Sequence, residues 1–238
     1  LLIEERLINF LRLTLIVIAG AVLATLSLVL TPLNFIWSGM GTYIAYKSFA
    51  RCVLIICGVK LDVEWKGEIE KKRKYLIISN HLSLLDIPVL MVIFKRNIRF
   101  IYKKSLTKVP IFGWAMFLGG YVPINRENGR SAMQSLRDAA DKLTEDISVA
   151  IFPEGTRSRT GETGDFKKGV FVLAEYTQAD IIPVSISGTN KIIPPDSFRI
   201  KPGKVKVVVG ETMKFSKDKS FLNDIRNVIT GNLKQTGQ

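Results

Sequence analysis

The chain has 238 residues, enough to bury one sizeable core, and carries 34 Lys and Arg against 21 Asp and Glu, a formal charge of +13. Hydrophobic residues at 47% exclude a disordered polyelectrolyte, and two cysteines, Cys52 and Cys57, exclude a disulfide-built mini-protein and suggest no zinc site. The charge is segregated: Leu13–Tyr46 has no charged side chain, and the four charges of residues 1–46 (Glu4, Glu5, Arg6 and Arg12) cancel, so the whole +13 lies on residues 47–238.

The first predicted element is a membrane helix over Leu13–Thr31, 19 residues or roughly 28 Å, close to the hydrocarbon thickness of a bilayer. A signal peptide would have a shorter apolar region ending in a small-residue cleavage site. Pro32 and Asn34 are expected to end the helix. The next apolar stretch, Phe35–Gly58, is interrupted by Lys47 and Arg51, and its uncharged part is too short to span. Either the first helix crosses alone, or both form a hairpin dipping into one leaflet; a buried core hairpin is the rival reading. Lys47, Arg51, Lys60, Lys66, Lys71, Lys72, Arg73 and Lys74 follow the segment and only Arg6 and Arg12 precede it. The positive-inside rule therefore puts the large domain on the cytoplasmic face of the cell membrane.

From residue 60 the pattern alternates. Strands are predicted at Leu61–Trp65, Tyr75–Ser79, Ile98–Tyr102, Tyr121–Ile124, Val149–Phe152, Ile181–Ser187 and Val205–Val209. Helices are predicted at Ile87–Phe94, Gly129–Thr144, Gly169–Thr177 and Phe221–Leu233. The expected fold is α/β: a mostly buried mixed sheet of about seven strands flanked by helices, preceded by an N-terminal membrane-embedded helical hairpin. The expected division is 1–58 for the anchoring helices and 59–238 for the α/β domain.

The only histidine is His81, directly after the strand Tyr75–Ser79. On a helix, His81 and Asp86 would point about 140° apart. Pro88 is tolerated only in a helix's first turn, so the helix is expected to start near Asp86 and leave His81 in the preceding loop. There Asp86 could hold one imidazole nitrogen and leave the other to take a proton. The plainer reading makes Asp86 only a helix cap, with Ser83 completing a weak capping box.

A second constellation, Phe152-Pro153-Glu154-Gly155-Thr156-Arg157-Ser158, leaves the strand Val149–Phe152. Glycines let backbone N–H groups turn toward an anion, and arginine grips phosphate with a fork. Glu154 could orient an arginine or pair with it. The spacing matches neither an ATP-binding Gly-rich loop nor a nucleophile elbow. Lys103, Lys104 and Asn125-Arg126 put further cations after strands, where open α/β sheets bind ligands.

Four segments in order, Asn80-His81-x-Ser83-x-x-Asp86, Gly120–Arg126, Phe152–Ser158 and Ile182-Pro183-Val184, resemble the motifs of the glycerolipid acyltransferases, most of all the bacterial lysophosphatidic acid acyltransferases. Phe166-Lys167-Lys168-Gly169 is similar to the family as well. The resemblance implies that His81 is the general base and Asp86 orients it. It implies further that Arg126, Glu154, Gly155, Thr156 and Arg157 bind the acceptor's phosphate, and that Lys103 matches a lysine near the active site. Asn125 and Ser105 depart from the common pattern, which has Asp and Glu there. The implied reaction moves an acyl group from acyl-CoA or acyl carrier protein to the 2-hydroxyl of 1-acyl-glycerol-3-phosphate, giving phosphatidic acid with no cofactor and no metal. The expected partners are membrane lipid and the acyl donor, not nucleic acid. The rival readings are another lysophospholipid or glycerol-phosphate acyltransferase, and a non-catalytic basic tether that binds anionic lipid or nucleic acid and has no need of His81.

Overall fold

A computed structural model of the chain describes residues 2–29, 40–70, 73–110, 112–125 and 128–235. Its centre is a seven-stranded sheet in the order β1-β7-β6-β2-β5-β3-β4. The strands are β1 Val59–Trp65, β2 Tyr75–Ser79, β3 Asn97–Lys103, β4 Val122–Ile124, β5 Ile147–Ile151, β6 Asp180–Ser187 and β7 Gly203–Val209. Every neighbouring pair is parallel except β6 and β7. The strands β2 to β6 therefore all run one way, and their C-terminal ends share one edge. The mixed α/β sheet expected from the alternating pattern is the one observed.

The helices are α1 Leu2–Val29, α2 Met40–Ile56, α3 Asp86–Ile93, α4 Phe112–Leu118, α5 Gly129–Asp141, α6 Gly169–Thr177, α7 Thr189–Ile192 and α8 Phe221–Gln235. A 3-10 turn, Lys104–Lys108, follows β3. All five residues of β2 and all eight of β6 are buried, as strands covered on both faces must be. Alternation then assigns the faces. Tyr75 and Ile77 join Phe100, Tyr102, Ile182, Val184, the α3 residues Val89 and Leu90, and Phe94 just after α3, on one side. Leu76 and Ile78 join Val149, Ile181 and the apolar stripes of α5, α6 and α8 on the other. α5 shows how such a stripe forms: Asn128 caps it by accepting from the Ser131 N–H, and Ser135, Leu136, Ala139 and Ala140 turn inward at helical spacing.

α1 begins well before the predicted Leu13. Glu4 and Glu5 suit the positive end of the helix dipole, and Arg12 donates to the Ile200 carbonyl at 3.3 Å, so these charges do not stop the helix. The most apolar part of this helix has a mean hydropathy of 2.2 and none of it is buried, which is the composition and exposure of a membrane-embedded helix. α1 packs on α2 and α4, with Leu13 and Ile16 partly buried against the core. α2 turns Ala50, Val53 and Leu54 into the same core as β2 and α3, with Cys57 just after it, so it covers the sheet as well as pairing with α1. The helix break expected at Pro32 and Asn34 lies outside the described residues.

Candidate active site

The site starts where β2 ends. The buried side chain of Asn80 pairs with the backbone of Ile186 in both directions, at 2.9 and 2.8 Å, and ties the exit of β2 to β6. His81 follows in the loop and α3 starts at Asp86, as the Pro88 argument requires. The capping reading is corrected: Leu85 occupies the cap position and no side chain caps the helix. The Asp86 carboxylate is completely buried and turns back over the loop instead. Its Oδ2 accepts from His81 Nδ1 at 2.8 Å and from the backbone N–H groups of Leu82 and Ser83 at 2.6 and 2.8 Å. Its Oδ1 accepts from the Thr189 hydroxyl at 2.6 Å. With a carboxylate facing Nδ1, the proton of the neutral imidazole belongs on Nδ1 and the lone pair on Nε2. Nε2 has no protein partner among the described residues.

The second motif closes over this histidine. The Phe152 ring, at the exit of β5, stacks on the imidazole with centroids 4.0 Å apart and planes 12° apart. Glu154 accepts from the His81 N–H and from the Gly164 N–H, each at 2.9 Å, and the Ser158 N–H donates to the His81 carbonyl at 2.7 Å. The expectation that Glu154 orients an arginine is therefore corrected: its carboxylate braces the histidine backbone against the glycine-rich loop. Burial pushes the Glu154 carboxyl above the ordinary carboxylate range, against the two backbone N–H bonds and His81, which pull it down. Gly155 sits at a φ of +73°, with the Lys167 ammonium 2.9 Å from where a Cβ would be, so the loop needs glycine there. Thr156 is exposed and Arg157 half-buried. Among the described residues Arg157 has no acidic partner, whereas Arg159 pairs with Asp196 on the surface at 3.0 Å.

Lys103 closes β3 and is exposed. β5 separates β3 from β2, so Lys103 starts about 10 Å from the His81 strand and makes no hydrogen bond to His81 or Asp86 among the described residues. Asn125 follows β4 on the same edge. Arg126 lies outside the described residues. The sheet thus brings together His81, Lys103 and the Glu154–Arg157 loop on one edge. Thr189 was missed: Ser187-Gly188-Thr189 signals only the end of an apolar strand, and nothing in it points to a carboxylate 103 residues away.

An apolar cavity opens beside the site, between α1, α2, α3, α4 and β3; Gly20, Phe49, Met91, Phe100, Met116 and Tyr121 line it. Phe152 connects the two, since its ring also packs on Phe100 at 6.3 Å.

A sequence profile described as Acyltransferase matches residues 60–187, from the start of β1 to the end of β6. The chain belongs to the acyltransferase family. That stretch contains His81, Asp86, Lys103 and the Glu154–Arg157 loop of this acyltransferase. The chain is 39% identical over 153 residues to a chloroplastic 1-acyl-sn-glycerol-3-phosphate acyltransferase of Arabidopsis thaliana, covering 64% of this chain and 43% of that one. It is 32% identical over 207 residues to the Saccharomyces cerevisiae protein of the same name, covering 83% and 68%. The acyltransferase thus spans less than half the length of the plant and algal relatives it matches. The crystal structure of the 1-acyl-sn-glycerophosphate acyltransferase of Thermotoga maritima superposes with a TM-score of 0.86 at 25% identity, covering 99% of this chain and 97% of that one. The likeness in fold therefore extends beyond the matched stretch to the N-terminal helices.

Proposed function

We propose that the chain moves an acyl group from acyl-CoA or acyl carrier protein to the 2-hydroxyl of 1-acyl-glycerol-3-phosphate, giving phosphatidic acid. The observation that carries this reading is the imidazole of His81, fixed through Nδ1 by a buried carboxylate and open at Nε2 on the edge that also bears Arg157. The names of the relatives and of the Thermotoga structure support the choice of acceptor.

Nε2 takes the proton of the acceptor's free hydroxyl as its oxygen attacks the thioester carbon. Collapse of the tetrahedral intermediate breaks the C–S bond, and the proton on His81 returns to the leaving thiolate. The atoms balance without a cofactor, and no acyl-enzyme is needed. Arg157, Arg126 and Thr156 hold the acceptor's phosphate; the Gly155 N–H donates to the Phe152 carbonyl at 3.0 Å, so Gly155 shapes the turn that presents them, with Glu154 keeping the loop against His81. Lys103 supplies positive charge to the developing oxyanion. General-base assistance accounts for only ~10²–10⁴-fold, so most of the acceleration comes from orientation and oxyanion stabilisation. The apolar cavity takes an acyl chain. The chain sits in the cell membrane through α1, with the catalytic domain on the cytoplasmic face, as the basic residues after the anchor favour.

The test is thiol release from an acyl thioester, in detergent, with wild type and His81→Ala side by side. Release that requires lysophosphatidic acid and falls by at least about a hundredfold in the variant is expected. Undiminished release by His81→Ala overturns the mechanism. Equal use of lysophosphatidylcholine overturns the phosphate grip, because that acceptor lacks a phosphate monoester.

A further inference from the structure

α4 is a short helix with two unlike sides. Gly113 is buried, and a Cβ there would stand 2.2 Å from the Thr107 carbonyl oxygen; Met116 packs on the sheet core. Trp114 and Phe117, three residues apart and so on one side, are 59% and 69% exposed. Leu106 and Val109, in and just after the preceding 3-10 turn, are also exposed. The turn Lys104–Lys108 packs against α4 and carries the exposed Lys104 and Lys108 on either side of Leu106. An exposed aromatic pair on a helix packed against a lysine-bearing turn is what an anionic bilayer surface would accept: the rings settle at the headgroup level and the ammonium groups meet lipid phosphates. The patch lies beside the exposed apolar helix α1, against which α4 packs. It also adjoins the turn that follows β3 on the edge bearing His81.

We propose that α4 and the Lys104–Lys108 turn form a second membrane-docking surface, which lays one face of the catalytic domain on anionic lipid beside the α1 anchor. The proposal rests on the membrane placement of α1 and not on the acyl-transfer reaction. The opposite face of the sheet, covered by α5, α6 and α8, stays in water.

The test uses the full chain reconstituted in vesicles of phosphatidylcholine and phosphatidylglycerol carrying a shallow spin-labelled lipid. Trp37→Phe with Trp65→Phe leaves Trp114 as the single tryptophan. The control adds Trp114→Phe and Tyr176→Trp, which moves the probe to an exposed site on α6. Flotation with the vesicles reports anchoring, and fluorescence quenching reports which face meets lipid. Trp114 is expected to be quenched at least about twofold more than the α6 probe, with blue-shifted emission. A second reporter, Phe117→Trp in the same background with Trp114→Phe, is expected to behave alike. Lys104→Glu with Lys108→Glu is expected to weaken the quenching. A chain that floats while Trp114 is quenched no more than the α6 probe overturns the proposal and leaves the anchor standing. Blue-shifted but unquenched Trp114 overturns it in favour of contact with a second protein. A chain that does not float overturns both.

Discussion

The two oxygens of Asp86 are held unequally: Oδ2 receives three donors, and among the described residues Oδ1 receives only the Thr189 hydroxyl. Gly188 makes that contact possible. Its φ is +89°, and a Cβ there would stand 2.4 Å from the Lys204 carbonyl oxygen, so the chain turns tightly after β6 and delivers Thr189 under the carboxylate. Thr189→Val keeps the shape and removes the donor, leaving a buried oxygen unpaired at a cost of about 1–3 kcal/mol. The carboxylate then swings, and with it the imidazole. We expect kcat to fall roughly ten- to a hundredfold with KM little changed, and Thr189→Ser to restore most of it; equal losses in both variants would mean that the hydroxyl is not the working group. Glu154 gives a different prediction, in pH. Its carboxyl is raised above the usual range chiefly by burial, so the folded protein binds that proton more tightly than the unfolded chain does. The resulting stabilisation is fully present below the ordinary carboxylate range and is lost as pH rises through the raised value. Glu154→Gln is always neutral and lacks this dependence. The thermal midpoint of wild type relative to Glu154→Gln should therefore rise between pH 7 and pH 4; a flat difference would contradict the shift.

Elements were legible in the sequence wherever burial or a backbone rule acted over a few consecutive residues. β2 and β6 stand out because they are apolar on both faces. Pro88 located the start of α3, and with it the reach of Asp86 toward His81. α4 gave no such signal. Phe112–Leu118 is too short for a periodic stripe and contains Gly113, a helix-weakening residue in isolation; it holds because that glycine lets it approach the Thr107 carbonyl. Its outward Trp114 and Phe117 also read as core residues in a linear sequence. The site divides in the same way. His81 and Asp86 lie five residues apart and could be paired by local reasoning, whereas the Thr189 contact exists only because β6 lies beside β2. Glu154 stood out in the sequence beside the arginines, but its partners are backbone N–H groups, which no side-chain pattern reveals.

At the scale of the whole molecule, the membrane helix and the catalytic sheet do not separate cleanly. α1 meets the domain along its length: Asn9 accepts from the Ile200 N–H at 2.7 Å, Glu5 pairs with Arg199, and Gly20 lies against the Phe49 ring. Gly20, Leu23 and Ala24 form one wall of the apolar cavity. An anchor that only held the enzyme near its substrate would be dispensable once substrate and enzyme share a detergent micelle. A helix that is also a wall would not. Each methylene of an acyl chain kept out of water is worth about 0.8 kcal/mol, so three or four methylenes left without that wall lose roughly 2–3 kcal/mol of binding. A chain that starts at Met40 should therefore lose more than about tenfold in kcat/KM toward a long-chain substrate in detergent, where anchoring is irrelevant. Toward a short-chain analogue that does not reach the α1 wall, the same truncation should lose far less. If the truncated chain is as active as the full one on long chains in detergent, α1 is an anchor alone and the cavity is closed by something else; if both substrates suffer equally, α1 supports the fold and not the pocket.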